Sequence, residues 1–228
     1  MQWSPSQDHV LASCSSDTTI KLWDLRATQM KPVMSWVASD CDINVISWNS
    51  SEQTRFLLAS GDDKGEIRIW DLRMLQPFMG AKKAEIDPIT QIHWHTDAIT
   101  SIQFEPREES VLAVTSADNK MTLWDFSVEM DEADQALQAN QELDMQIPPQ
   151  MMFLHQGQKN MKELRFHPQY QCLMVTTAED SFNVFRPNLE PVASDGGEDA
   201  QMEEIPEEAN EEEETKQDSS AQHEESKR

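Results

Sequence analysis

A fifteen-residue pattern that occurs four times without a gap constrains the fold of this 228-residue chain more than any other feature. Each copy joins two short apolar stretches through a polar turn, and the second stretch ends at or just after an aromatic residue. The copies are VLASCSSDTTIKLWD (10–24), LLASGDDKGEIRIWD (57–71), VLAVTSADNKMTLWD (111–125) and CLMVTTAEDSFNVFR (172–186). The pattern predicts four β-hairpins within a fold built from one repeated unit.

Further strands are predicted on either side of the hairpins. A short stretch with an aromatic precedes each hairpin: QWSP (2–5), ISWNS (46–50), IQFEP (102–106) and LRFHP (164–168). Other apolar stretches lie between one hairpin and the next: KPVMSWV (31–37), ITQIHW (89–94) and MMFLH (151–155). The predicted unit is therefore about four antiparallel strands, and the predicted fold class is all-β.

The spacing of the hairpin-ending aromatics locates the insertions. Trp23, Trp70, Trp124 and Phe185 follow one another at 47, 54 and 61 residues, whereas an uninterrupted four-stranded repeat of this kind takes roughly 40–45. Most of the excess in the last interval is the acidic stretch at 127–150. We therefore predict a loop there, with the strand pattern kept on both sides.

The WD endings of the hairpins resemble the WD-repeat β-propeller family. The resemblance implies a hydrogen-bond set that joins a His before the first strand, a Ser or Thr in the second, an Asp in the hairpin turn and the Trp of the third, because a buried indole N–H needs an acceptor. The positions matching this set are Ser13, Asp17 and Trp23; Ser60 and Trp70; His95, Asp118 and Trp124; and His155, Thr176 and Phe185.

Several repeats depart from that set. In the second repeat Ser39 takes the His position and Lys64 the Asp position, with Asp63 one residue early. In the third, the strand position is Val114 beside Thr115. The fourth has Glu179 for the turn Asp and Phe185 for the Trp, so its network is expected to be weakened or replaced by packing.

A closer resemblance follows the acidic insertion, where LWDFSVE and then PPQMMFLHQGQKNMKELRFHPQ (148–169) are similar to the histone-binding branch of the family, and most of all to its glutamate-rich WD-repeat proteins. This covers residues 1 to about 188. It implies a non-enzymatic scaffold, an acidic escort for histones and a large-subunit ribosomal protein, associated with pre-ribosomal particles and chromatin in the nucleus and nucleolus. It also implies seven blades in a complete protein. The chain is thus expected to supply about blades four to seven of a longer one, and to aggregate or stay chaperone-bound when isolated.

The charge of the chain supports the expectation of basic protein partners. The net charge of −24 argues against direct binding to nucleic acid, which needs a basic face, and favours basic protein partners. Fourteen acidic and three basic residues lie between 195 and 228. We expect domain boundaries at 1–188 for the blades and 189–228 for a disordered acidic tail, since blocks of like charge are usually disordered.

The resemblance places the partner-binding wall in the insertion. Carboxylates there would attract Lys and Arg, and two prolines would hold the loop extended. The residues are Glu129, Asp131, Glu132, Asp134, Glu142, Asp144, Pro148 and Pro149. Composition alone also allows a solvated loop without a partner.

A second hypothesis keeps the fold but changes the partner. WDLR at 23–26 and at 70–73 resembles the WDxR pattern of propellers that dock onto a ubiquitin-ligase adaptor. Arg26 and Arg73 would then be the adaptor-binding residues of a substrate receptor. The two hypotheses differ in which residues a partner contacts.

Catalysis, cofactors and metals are not predicted. HWHTD (93–97) contains the HxHxD that opens some metallohydrolase zinc sites, but the repeat already gives His95 a structural role. The six glycines are scattered, so no phosphate-binding loop is evident. Three cysteines without a CxxC pair predict neither a disulfide framework nor a thiolate zinc site, and no apolar run reaches a membrane span.

Overall fold

The computed structural model describes residues 1–28, 31–74, 84–128 and 147–189. These residues lie in one compact unit, Met1–Leu189, and the second unit, Glu190–Arg228, falls outside them together with the predicted acidic tail. Leu189, where the tail was expected to begin, is half-buried against the third core cluster. The described part of the chain contains no helix that is long and apolar enough to cross a membrane.

Within the described residues the strands form four sheets, so the prediction of an all-β, partial four-bladed propeller is confirmed. Sheet 1 contains β1 (Gln2–Trp3), β2 (Val10–Cys14), β3 (Thr19–Asp24), β4 (Met34–Val37) and β8 (Ala84–Glu85). Sheet 2 contains β5 (Ile43–Trp48), β6 (Leu57–Asp62), β7 (Glu66–Asp71) and β9 (Thr90–His93). Sheet 3 contains β10 (Ile99–Phe104), β11 (Val111–Ser116), β12 (Lys120–Asp125) and β13 (Met151–Gln156), and sheet 4 contains β14 (Glu163–Phe166), β15 (Met174–Thr177) and β16 (Phe182–Phe185).

The hairpins and flanking strands lie where the repeat predicts them. All pairs are antiparallel except one: β8 adds to the outer edge of sheet 1 as a parallel neighbour of β4. The chain thus returns from beyond β7 to the preceding sheet before it forms β9, and this fifth strand was not predicted.

Three of the four hairpin turns share one backbone requirement. Thr18, Gly65 and Asn119 occupy the same turn position and all have positive φ, at 67°, 84° and 68°. Glycine adopts this conformation at low cost and asparagine tolerates it, whereas a β-branched threonine is strained there. Gly65 has a second reason to lack a side chain, since a Cβ would lie 2.4 Å from the backbone oxygen of His95.

Three apolar clusters pack consecutive sheets together. The first joins sheets 1 and 2 around Trp36 and Trp70, whose ring centroids are 5.9 Å apart in an edge-to-face arrangement. The second joins sheets 2 and 3 around Ile67, Ile99 and Trp124. The third joins sheets 3 and 4. Each sheet therefore buries its face against its neighbour, which is how repeat proteins build one continuous core.

Candidate binding site at the acidic insertion

The acidic insertion leaves and re-enters sheet 3 between two paired strands. Trp124 of β12 lies opposite Met151 of β13, so the two ends of the loop are held side by side. The Asp125 N–H donates to the Gln150 carbonyl at 2.8 Å, and the Gln150 side-chain amide donates to the Val128 carbonyl at 3.4 Å. The sheet thus fixes where the insertion projects from the blade.

The prolines form the returning end of the insertion. The Met151 N–H donates to the Pro148 carbonyl at 2.9 Å, which closes a β-turn with Pro149 at its second position, where a fixed φ is favourable. Pro148 is half-buried and Pro149 is exposed. The six predicted acidic residues, Glu129, Asp131, Glu132, Asp134, Glu142 and Asp144, lie outside the described residues.

Exposed apolar side chains lie at the two ends of the acidic insertion. Val128, Ile147 and Met152 are 39%, 56% and 37% exposed, and they lie at or next to the two ends of the loop. Exposed apolar residues beside an acidic segment suit an amphipathic basic partner, because one face of such a partner needs apolar contact and the other needs carboxylates.

In sheets 1 and 2 the tryptophan at the end of the hairpin makes an equivalent hydrogen bond to a serine. The Trp23 indole donates to the Ser13 hydroxyl at 2.8 Å, and the Trp70 indole donates to the Ser60 hydroxyl at 2.9 Å. In sheet 1 the Asp17 carboxylate accepts from the Thr19 amide and hydroxyl and pairs with Lys21. The hydrogen bond from the Lys21 side chain, and after it the one from the Thr19 hydroxyl, holds the pKa of Asp17 well below its usual range.

In sheet 3 a buried series of hydrogen bonds joins four side chains: His95, Asp118, Thr122 and Trp124. His95 Nδ1 is 3.0 Å from Asp118 Oδ2, and Nε2 is 2.9 Å from Thr122 Oγ1, which accepts from the Trp124 indole at 2.8 Å. A carboxylate can only accept, so Nδ1 carries the proton and, in the neutral ring, Nε2 accepts from the Thr122 hydroxyl. The hydroxyl comes from β12, across from Val114, rather than from the β11 position expected.

In sheet 2 the acid is Asp62, not Asp63. Asp62 is buried at the end of β6 and accepts from Ser39 at 2.8 Å and from Arg68 at 2.6 Å. Arg68 also pairs with Glu66. The guanidinium occupies the position that Thr122 has in sheet 3, so the Asp62–Arg68 ion pair stands where sheet 3 has the Thr122 hydroxyl. The Asp63 side chain accepts from Asn44 at 3.3 Å, and its backbone N–H donates to the Asp42 carbonyl at 2.9 Å.

In sheet 4 the expected His155 contact to Thr176 is absent and Gln158 takes its place. The Thr176 hydroxyl donates to Gln158 Oε1 at 2.6 Å, and both residues are buried. His155 lies in β13, the last strand of sheet 3, and its ring stacks on Phe185 with centroids 4.5 Å apart. Phe185 takes the position of the tryptophan in the other repeats. Because a phenyl ring has no N–H, it needs no acceptor, and packing against the His155 ring replaces the hydrogen bond.

The two WDLR motifs adopt the same local arrangement. Each arginine donates through Nε and Nη2 to the aspartate two residues earlier, Arg26 to Asp24 and Arg73 to Asp71, with the Nη2 distance 2.7 Å in both. The hydrogen bonds from Arg26 lower the pKa of Asp24 to about 2. Arg73 also lies over the Phe56 ring. Both guanidinium groups are exposed, but each is already paired.

The HWHTD stretch does not gather metal ligands. His95 is buried in the series described above, whereas the exposed His93 lies 3.6 Å from Glu66. Within the described residues no group of three His, Cys, Asp or Glu side chains is arranged to hold a metal ion.

Comparison with known proteins places this geometry in a family. Residues 2–191 match the family model described as the Pep3/Vps18/deep orange beta-propeller domain. The chain is 41% identical over 187 residues to "Ribosome assembly protein rrb1" of Schizosaccharomyces pombe, covering 82% of this chain and 38% of that protein. It is 43% identical over 187 residues to "Glutamate-rich WD repeat-containing protein 1" of Dictyostelium discoideum, covering 82% and 36%.

A third relative is more distant. "Histone acetyltransferase type B subunit 2" of Candida glabrata is 23% identical over 184 residues, which cover 79% of this chain and 38% of that protein. The chain therefore spans somewhat more than a third of the length of each of these relatives.

Proposed function

Because the chain belongs to the WD-repeat β-propeller proteins, with glutamate-rich and histone-related members among its relatives, we propose that it is an acidic escort for basic proteins. Its clients are histones and a large-subunit ribosomal protein, and it acts on pre-ribosomal particles and chromatin in the nucleus and nucleolus. No catalytic activity is part of this proposal. A relative named for ribosome assembly and another named for a histone acetyltransferase subunit support these two client classes.

The observation that carries the proposal is the anchored base of the insertion. Bonds from Asp125 and Met151 hold its two ends on adjoining strands, and exposed apolar residues surround them. A loop with fixed ends loses less entropy on binding than a free polyanion, so its carboxylates can attract a cationic helix in a defined place. The net charge of −24 steers basic clients towards the molecule from a distance.

The test separates the insertion from charge in general. One variant neutralises the six insertion acids as Glu129→Gln, Asp131→Asn, Glu132→Gln, Asp134→Asn, Glu142→Gln and Asp144→Asn. The matched control changes six tail acids, Glu207, Glu208, Glu211, Glu212, Glu213 and Glu214, to Gln, so both variants lose the same charge. Binding of histone H3–H4 and of purified large-subunit ribosomal proteins is measured by fluorescence anisotropy across a salt series.

We expect the insertion variant to lose about tenfold or more in affinity, since each rim charge pair contributes up to about 1 kcal/mol. The tail variant should lose only a few-fold and show a flatter salt dependence, because exposed charges act at long range and are screened. Equal losses in the two variants would mean that net charge alone attracts the client and that the insertion is no site.

The adaptor hypothesis is kept as a second candidate because Arg26 and Arg73 have the same exposed arrangement in two blades. Under it, Arg26→Glu and Arg73→Glu abolish binding to a ubiquitin-ligase adaptor and spare histone binding. Under the escort proposal the same variants leave histone affinity unchanged and no adaptor is bound.

A further inference from the structure

An open cleft lies between sheets 1 and 2, beside the segment that crosses from β8 to β9. Its apolar walls include Val37, Trp70, Ile86 and Pro88, which come from both sheets and from the crossing segment. Its volume is about 280 Å³, just below the range of pockets that hold drug-sized ligands or cofactors. The cleft therefore fits one amino-acid side chain better than a cofactor.

The return of β8 to sheet 1 creates this cleft. β8 pairs with the last two residues of β4, and the Ile89 N–H then donates to the Ile69 carbonyl of β7 at 2.9 Å. These two attachments hold residues 86–88 across the boundary between the sheets, with Ile86 packed against the first core cluster. In the part of the chain that the structure describes, sheets 2, 3 and 4 receive no such added strand.

Carboxylates stand at the rim of the cleft. Asp40 lines it with a side chain that is 70% exposed, and the exposed Asp87 lies between two wall residues. Asp40 is paired with Lys64 at 2.6 Å, but the Lys64 side chain is itself 56% exposed. Exposed ion pairs contribute little to stability, so a basic partner can take the place of Lys64 at small cost.

The guanidinium that lines the cleft is already neutralised. Arg68 is paired with Asp62 at 2.6 Å and with Glu66, and its side chain is only 11% exposed. The six charged groups at the cleft, two cations and four carboxylates, therefore carry a formal charge of −2. This charge favours a cationic occupant.

We propose that this cleft binds an arginine side chain of a basic protein partner. The aliphatic stem of the arginine lies against Ile86 and Pro88, because long basic side chains bury their stems along apolar surface and keep the charged group at the rim. The guanidinium pairs with the Asp40 carboxylate, which it matches in a bidentate geometry, and Asp87 adds to the attraction. This inference rests on the proposed function, which supplies the basic partner, but it places a second contact between sheets 1 and 2, whereas the insertion projects from sheet 3.

The test compares two fluorescent peptides of equal charge and about eight residues each. In the first, glycine alternates with arginine; in the second, 2,4-diaminobutyric acid replaces each arginine and carries its charge on a much shorter stem. Fluorescence anisotropy should show the unchanged chain binding the arginine peptide about fivefold more tightly, because only the long stem fills the cleft.

One substitution blocks the cleft without changing its charge. Ile86→Trp fills the space between the walls and should remove most of the preference for the arginine peptide. Ile89→Trp is the matched control in the same segment, at a side chain that is 55% exposed and does not line the cleft, and it should keep the preference.

A second pair of variants tests the rim at exposed positions, where folding is not at risk. Asp40→Asn with Asp87→Asn should weaken binding of the arginine peptide about fivefold. Asp8→Asn with Glu52→Gln removes the same charge from exposed acids in the loops between β1 and β2 and between β5 and β6, and should weaken it about twofold or less.

The inference is overturned if Ile86→Trp keeps the preference, or if the two pairs of acid substitutions weaken binding equally. A chain that binds histone H3–H4 but does not distinguish the two peptides would rule out the cleft alone. A chain that binds neither the peptides nor H3–H4 would contradict the proposed function as well.

Discussion

Replacement of Thr122 by Val tests the buried series of sheet 3 most sharply. Thr122, His95 and Trp124 are 0%, 0% and 1% exposed, and the hydroxyl joins the other two at 2.9 and 2.8 Å. Valine has the same shape but removes the hydroxyl, which leaves the Trp124 N–H and His95 Nε2 without partners. An unsatisfied buried group costs about 1–3 kcal/mol, so Thr122→Val should lower the free energy of unfolding by about 3 kcal/mol.

Two companion variants separate the hydroxyl from the packing. Thr122→Ser keeps the hydroxyl and loses one methyl group, which should cost about 1 kcal/mol. Val114→Thr combined with Thr122→Val moves the hydroxyl to the facing strand, where Ser13 and Ser60 stand in their sheets, and should recover at least half of the loss. Urea unfolding followed by tryptophan fluorescence measures all three. Equal losses for Thr122→Val and Thr122→Ser would refute the reasoning.

Other predictions concern pH and backbone conformation. Burial acts to raise the pKa of Asp118, but hydrogen bonds from His95, Thr96 and Lys120 hold it below its usual value, so its contribution to stability is present above pH ~4 and is lost as pH falls through the lowered pKa. Asp118→Asn should therefore reduce stability at neutral pH and differ less from the unchanged chain in acid, as measured by urea unfolding at several pH values; a constant difference would contradict this. Gly65→Ala should destabilise by about 2–3 kcal/mol, from its positive φ and the contact with His95, whereas Gly157→Ala, whose Cβ would meet nothing within 4 Å, should cost only the backbone strain. Thermal unfolding compares the two, and equal losses would show that the His95 contact is unimportant.

The strands of the fold were predictable because each hairpin has its own local pattern. Alternation, polar turns and terminal aromatics are contiguous in sequence, and β2 to β3 or β11 to β12 needs nothing else. The return of β8 to sheet 1 was not predictable, since it is a two-residue strand paired with a segment about fifty residues earlier. Its pairing depends on the path of a loop and not on any periodicity.

The hydrogen-bond partners were predictable in kind and less so in position. Thr122 replaces a hydroxyl expected on β11, and this becomes evident only from the register that places it across from Val114. The signal for Asp62 was Arg68 two residues before Trp70, because a buried guanidinium requires an acid beside it. Gln158 gave no signal beyond a position near the start of the fourth repeat.

Affinity purification of the chain from nuclear extract at moderate salt, with its bound proteins identified by mass spectrometry, tests the central claim most directly. The escort proposal predicts that core histones and large-subunit ribosomal proteins co-elute, and that the variant with six neutralised insertion acids loses them while the matched tail variant retains most. Recovery of a ubiquitin-ligase adaptor dependent on Arg26 and Arg73, without enrichment of basic proteins, would contradict it.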